Sequence, residues 1–267
     1  MMKSLTKLFK AKPSAPLPAV PDGTRYYIIG DIHGRDDLFA ALVAAVDEDA
    51  AGADGLDVRI VLLGDLVDRG PDSAGVIARA RAWQERRQVA ILAGNHEEMF
   101  LKSFEQVRVL KHFIRHGGRE TILSYGVPVE LYNEASVEEL QGIIHQYVPQ
   151  ADREFLAGFE ETIVAGDYLF VHAGIQPGVS LDGQSRDDLL WIREQFIEYD
   201  GVHPLFVVHG HTIFENVDVK TNRLGIDTGA FRTGRLTALV LEGTSRRLIQ
   251  AVEANRTIVV EKKDRLA

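Results

Sequence analysis

Apolar and polar positions along this chain follow two different periods. Tyr26 to Ile29 is a short aromatic and β-branched run, and Val58 to Leu63 is an apolar run broken only by Arg59, so both predict strands. Between them Leu38, Phe39, Leu42, Val43 and Val46 recur at three- and four-residue spacing, which predicts a helix over Asp36 to Asp49. An apolar pattern from Ala74 to Trp83 predicts a second helix, and Val89 to Leu92 a third strand. Strand, helix, strand, helix, strand is the order of a parallel sheet with covering helices, in which ligands gather beyond the carboxyl ends of the strands.

The pattern changes over residues 98–160, which read as a helical, cap-like insertion of mixed polarity with turns at His116–Gly118 and Ser124–Gly126. Such an insertion is either plain structural helix or a cap that shapes substrate access. Strands return at Thr162 to Val164, Tyr168 to Val171, Leu205 to Val208, Val217 to Lys220, Arg223 to Ile226 and Leu236 to Leu241. Short strands with tight turns predict a second, largely antiparallel sheet packed on the first. The expected fold class is therefore mixed α/β, a single domain over residues 23–267 preceded by a flexible basic and Pro-rich tail over residues 1–22.

The strand ends carry the chemistry. GDIHG at 30–34, GDLVDRG at 64–70 and GNHE at 94–97 each place Asp, His or Asn beside glycine where an apolar run stops, and VHAG at 171–174 and HGHT at 209–212 repeat the arrangement downstream. Asp31 and His33 can face one cation from a single turn. Asp65 can bridge two cations through its two oxygens. Asn95, His172 and His211 supply one neutral oxygen and two imidazoles for the second. These donors suit two divalent ions, manganese first, with iron, zinc, cobalt or nickel as other candidates; they disfavour calcium and copper(I). Two such ions about 3.5 to 4 Å apart clamp a phosphoryl group and deliver a metal-activated hydroxide in line. Packing these carboxylates and imidazoles together with no cation would cost on the order of several kcal/mol.

Composition narrows the classes. The 267 residues contain no cysteine, which removes disulfides, thiolate zinc sites and a cysteine nucleophile. No DxDxT sequence offers an aspartyl nucleophile. A formal charge of -9 argues against a nucleic-acid backbone as the main partner, although it leaves room for a local basic pocket. No apolar stretch approaches the roughly 20 residues of a membrane helix. The first 21 residues lack the apolar core of a secretory signal, so a cytoplasmic location is expected.

These blocks resemble the PPP-type metallophosphoesterases, which include serine/threonine protein phosphatases and the related symmetrical diadenosine tetraphosphatases. The resemblance runs from about residue 25 to 245, with GDxHG, GDxxDRG and GNHE intact. It implies a central β-sandwich flanked by helices, with Asp31, His33 and Asp65 on one metal and Asp65, Asn95, His172 and His211 on the other. It further implies that His96 is the general acid, that Asp68 hydrogen-bonds to it, and that Arg69 binds phosphate. The physical logic agrees: His96 follows a ligand directly, a neighbouring carboxylate raises its pKa, and the planar guanidinium fork matches phosphate. LLWIREQF at 189–196 resembles bacterial members of the family, which nominates Arg193 as a second phosphate-binding arginine, the other reading being a surface ion pair. Only one histidine of HGHT matches the ligand pair. His211 is assigned, leaving His209 as a supporting or core residue, and His112, His116, His145 and His203 as structural or solvated.

The chain looks like the compact bacterial and phage phosphatases. An intact Asp68 and His96 suit a poor leaving group, so the expected function is a metal-dependent serine/threonine, or dual-specificity, protein phosphatase. The alternative is a pyrophosphohydrolase of dinucleoside polyphosphates or capped RNA ends, which a base-stacking aromatic near Arg193 or in the cap would favour. Trp191 and Tyr125 are the candidates, with core packing as the competing role for each. A catalytically silent phosphopartner-binding protein would be expected to have lost a ligand or His96, and neither is missing.

Overall fold

The computed structural model describes residues 17–266. The expected tail falls mostly outside these residues, but its last part is docked: Val20 is buried, and its N–H donates to the carbonyl of Gly243 at 3.1 Å.

Three parallel strands come first: β1 (Thr24–Ile29), β2 (Asp57–Leu62) and β3 (Val89–Ile91), connected by α1 (Asp36–Ala51) and α2 (Ser73–Gln84). The insertion holds α3 (Asn95–Ser103), α4 (Val107–Phe113), α5 (Arg119–Ser124), α6 (Val129–Glu134), α7 (Val137–Tyr147) and α8 (Gln150–Ala157), with a widened turn, Ile114–Gly118, joining α4 to α5. Then follow β4 (Thr162–Ala165), β5 (Tyr168–Val171), α9 (Arg186–Trp191), α10 (Glu194–Ile197), β6 (Phe206–His209), β7 (Asp218–Val219), β8 (Arg223–Gly225), α11 (Ala230–Thr233), β9 (Arg235–Glu242), β10 (Ser245–Ala254) and β11 (Thr257–Lys263). No helix among the described residues is long and apolar enough to cross a membrane.

The strands form two sheets, in the orders β11-β10-β9-β1-β2-β3 and β4-β5-β6-β8-β7. Period-two alternation assigns their faces. Tyr27, Ile29, Ile60 and Leu62 point to α1 and α2, whereas Tyr26, Ile28, Val61 and Leu63 meet Tyr168, Phe170, Phe206, Val208, Leu224 and Ile226 of the second sheet. The outer face of the second sheet, Leu169, Val171 and Val207, is covered by Leu189, Ile192 and Phe196. The result is the expected sandwich between helical layers. Phe100, Phe113, Ile122, Leu140 and Leu156 of the insertion belong to the same buried cluster as α1 and α2, so it is packed onto the sheet helices.

Two features differ from the sequence expectation. The second sheet is mixed rather than largely antiparallel: β5, β6 and β8 run parallel, because α9 and α10 lie between β5 and β6 and provide the crossover. Leu236 to Leu241 pairs antiparallel with β1 in the first sheet, where both of its faces are buried. Beyond it, β10 and β11 form a hairpin whose two turn residues, Asn255 and Arg256, take φ of 52° and 63°, the twist that two-residue hairpins require.

Candidate dinuclear metal centre

Every predicted ligand lies just beyond a strand end, and both sheets contribute. Asp31 and His33 leave β1, Asp65 leaves β2, Asn95 and His96 open α3 after β3, His172 follows β5 and His211 follows β6. Five of the seven non-glycine residues with positive φ among the described residues are here: His33, Asp65, Asp68, Arg69 and His211, at 47° to 74°. Backbone strain concentrated in this way is typical of functional sites. The turns can approach one another because two glycines leave room. A Cβ on Gly94 would collide with the carboxylate and N–H of Asp65, and one on Gly210 with Oδ1 of Asp31.

Asp65 is the centre of the cluster. Its Oδ2 lies 3.5 Å from Nε2 of His33 and its Oδ1 lies 3.4 Å from Nε2 of His172, one oxygen towards each imidazole. Donor atoms of Asp65, His33 and His96 lie within 4.8 Å of one another, as do those of Asp65, His172 and His211. Oδ1 of Asn95 is 3.1 Å from Nε2 of His172. Asp31 sits behind, its two oxygens accepting the N–H of His211 at 3.2 and 3.0 Å.

Two histidines are set with their Nε2 lone pairs inward. Nδ1 of His33 bonds the carbonyl of Val67 at 2.8 Å and Nδ1 of His172 that of Leu63 at 2.8 Å, so each Nδ1 carries the proton. Burial lowers the pKa of His33, His172 and His211, the last to about 2, which keeps these rings neutral. Burial pushes the Asp65 carboxyl up, but the four surrounding imidazoles outweigh it and hold the group ionised.

Three residues not read from sequence complete the centre. Asp227, just after β8, is buried against Asp31, and Oδ2 of Asp227 and Nε2 of His211 have no hydrogen-bond partner among the described residues. Burial, and then the Asp65 carboxylate, raise Asp227 to about 6, and burial, Asp227 and Asp65 raise Asp31 well above the carboxylate range. Carboxylates crowded in this way, with an inward imidazole lacking a partner, fit a site built for cations. Glu97 clamps two motifs together: its Oε2 accepts the N–H groups of Asp65 and Gly94 at 2.9 Å, and its Oε1 that of Leu66 at 2.8 Å. Thr121, from α5 of the insertion, donates to Oδ1 of Asp68 at 2.6 Å.

Nδ1 of His96 lies 2.5 Å from Oδ2 of Asp68. Burial lowers the pKa of His96, but Asp65 and Asp68 outweigh this and hold it above the usual histidine value. Burial also pushes Asp68 up, yet the bonds from His96 and Thr121 favour its charged form. The Arg69 guanidinium lies against Nε2 of His33 at 2.8 Å and of His96 at 2.9 Å, and stacks 4.7 Å over Phe231. Arg193 is exposed, pairs with no carboxylate among the described residues, and is close enough to His172 and His211 to lower both.

His209 lies apart, buried between Phe196 and Arg223, whose Nη1 is 3.2 Å from its Nε2. Tyr125 packs near Phe100, in keeping with a core role. Trp191 does not: it is 37% exposed, with its ring 6.4 Å from that of His211 and its Nε1 donating to Glu98 at 3.2 Å.

Comparison with known proteins gives the family. The symmetrical bis(5'-nucleosyl)-tetraphosphatase of Acidovorax sp. (strain JS42) is 32% identical over 175 residues, 66% of this chain, which spans about half (48%) of that protein's length. The asymmetrical bis(5'-nucleosyl)-tetraphosphatase PrpE of Bacillus velezensis is 25% identical over 238 residues, 79% of this chain and 87% of that one. A solved structure described provisionally as a diadenosine tetraphosphatase shares the fold, with a TM-score of 0.57 at 21% identity over 93% of this chain and 99% of its own. The model of the calcineurin-like phosphoesterases matches residues 24–228, strands and ligand turns included, and on that match the chain belongs to this metallophosphoesterase family.

Proposed function

We propose that this protein hydrolyses dinucleoside polyphosphates at a dinuclear centre held by Asp31, His33, Asp65, Asn95, His172 and His211, with manganese as the ion that best suits the mixed oxygen and imidazole donors. The observation that carries the substrate reading is Trp191. It is an exposed aromatic surface 6.4 Å from His211 and two residues from Arg193, where a base can stack while the phosphates reach the centre. The tetraphosphatase relatives support the same reading.

When bound, the two cations would lower the pKa of a water and neutralise charge on the phosphoryl oxygens. The chain's own residues do the rest. Arg69 and Arg193 present guanidinium groups to the phosphoryl oxygens, Arg69 turning from the two imidazoles it now contacts. His96, charged through its bond to Asp68, gives its Nε2 proton to the leaving oxygen, and Asp68 stabilises the imidazolium and fixes its orientation. Ser73 and Thr121 each lie within hydrogen-bond distance of the N–H of Asp68, at 3.0 and 2.8 Å, and keep that carboxylate in place.

A second reading, phosphoserine or phosphothreonine protein phosphatase, is favoured by the short His96–Asp68 contact, because an alkoxide leaving group needs the proton more than a phosphate does. Steady-state hydrolysis of diadenosine tetraphosphate against a phosphothreonine peptide separates the two. A higher kcat/KM for the dinucleotide is expected, and the reverse order overturns the substrate reading.

A further inference from the structure

Beside the metal centre, α3 and α4 enclose a cleft of about 500 Å³ that the reaction as described does not use. It begins one turn from the general acid. Met99, three residues after His96 and on the same face of α3, lines it, and Trp191 closes the end nearest His211. His112, which also lines it, is lowered by burial, then by His116 and Arg115, and least by His96. The cleft therefore lies on the side of the centre where the leaving group departs.

Its walls are basic in a protein whose formal charge is -9. Lys102, Arg108, Lys111 and Arg115 line it against one carboxylate, Glu98. Glu98 is already engaged by Lys102 at 3.1 Å, Arg186 at 3.2 Å and the Trp191 indole. Among the described residues no carboxylate pairs with Arg108 or Arg115. Arg108, Lys111 and Arg115 stand at spacings of three and four, so like charges neighbour one another along roughly 10 Å of chain, with Lys111 alone reaching a carboxylate, Glu138 at 3.7 Å. Such a row is unfavourable by itself, and an anion with several charges along its length relieves it. One phosphate group does not span a row of that length, whereas a phosphate chain does.

We infer that this cleft binds the phosphates beyond the scissile bond of a nucleoside polyphosphate, with Arg108 and Arg115 as their principal partners and Trp191 against the base. The inference rests on the dinucleoside polyphosphate reading of the centre and adds where the leaving nucleotide lies. It also makes chain length a determinant of specificity, because only substrates with phosphates beyond the scissile bond engage the row.

The test compares the double variant Arg108→Gln/Arg115→Gln with the parent on diadenosine tetraphosphate, inorganic tetrapolyphosphate and p-nitrophenyl phosphate, using manganese-loaded protein. KM for both polyphosphates should rise about tenfold or more, with kcat changed little, and the loss in kcat/KM should exceed that on p-nitrophenyl phosphate at least tenfold. Trp191→Leu should raise KM for the dinucleotide more than for the inorganic chain, which identifies the base as its partner; equal effects leave the phosphate chain alone as the ligand and overturn the Trp191 assignment. If the dinucleotide is cleaved but the double variant loses no more on it than on p-nitrophenyl phosphate, the cleft assignment is overturned and the function stands. If neither polyphosphate is cleaved while a phosphopeptide is, the function fails and this inference with it.

Discussion

Oδ2 of Asp68 and Nδ1 of His96 are 2.5 Å apart, and the carboxylate is held from behind by Thr121, a residue of the helical insertion. The insertion thus reaches the dyad directly, through a threonine on α5.

The dyad predicts a leaving-group effect. His96→Asn should retain bound metal while hydrolysis of an alkyl phosphate falls roughly 100- to 10,000-fold. The loss on p-nitrophenyl phosphate, whose leaving group hardly needs a proton, should be far smaller. Equal losses on the two substrates would remove His96 from the acid role.

Asp65 offers one oxygen to each histidine pole, so Asp65→Asn should lower metal content and activity together. Elemental analysis after dialysis checks this. Full retention of both ions would contradict the bridging assignment.

Thr121→Val keeps the shape of the side chain but removes the donor to Asp68. We expect a cost of about 1 to 3 kcal/mol in stability from the buried unsatisfied oxygen. The alkyl-to-aryl phosphate rate ratio should fall as well, a readout that a purely structural role for Thr121 would leave unchanged.

Stability should also depend on pH away from the centre. Burial, and then the hydrogen bond to Asp49, push the Tyr27 hydroxyl up to about 12. Its proton is held more tightly in the folded chain than in the unfolded one, where the value is about 10. The stabilisation is complete below about pH 10 and is lost as pH rises towards 12. Denaturant midpoints should fall across that window, and Tyr27→Phe should flatten the fall.

The grouping of the candidate residues was legible because the proposed ligands follow one rule, a polar residue near glycine where an apolar strand stops. Asp227 obeys it too, directly after the run Arg223 to Ile226, but it stands without a histidine or a second carboxylate nearby in sequence. Its partner Asp31 is brought to it by the packing of one sheet on the other. Thr121 and the basic cleft were hidden for a related reason: their roles arise from how the insertion folds back on the strand ends, and local pattern does not encode that, while for Trp191 the sequence left base stacking and core packing both open. The apolar run Leu236 to Leu241 marked a strand correctly, yet two apolar faces alone do not say which sheet a strand joins.

The most direct test of the account is product release from diadenosine tetraphosphate by chelated protein, before and after manganese is restored. The account predicts no turnover without metal and, with it, turnover at a higher kcat/KM than for a phosphothreonine peptide. Equal activity with and without metal would contradict the dinuclear centre, and preference for the peptide would contradict the substrate.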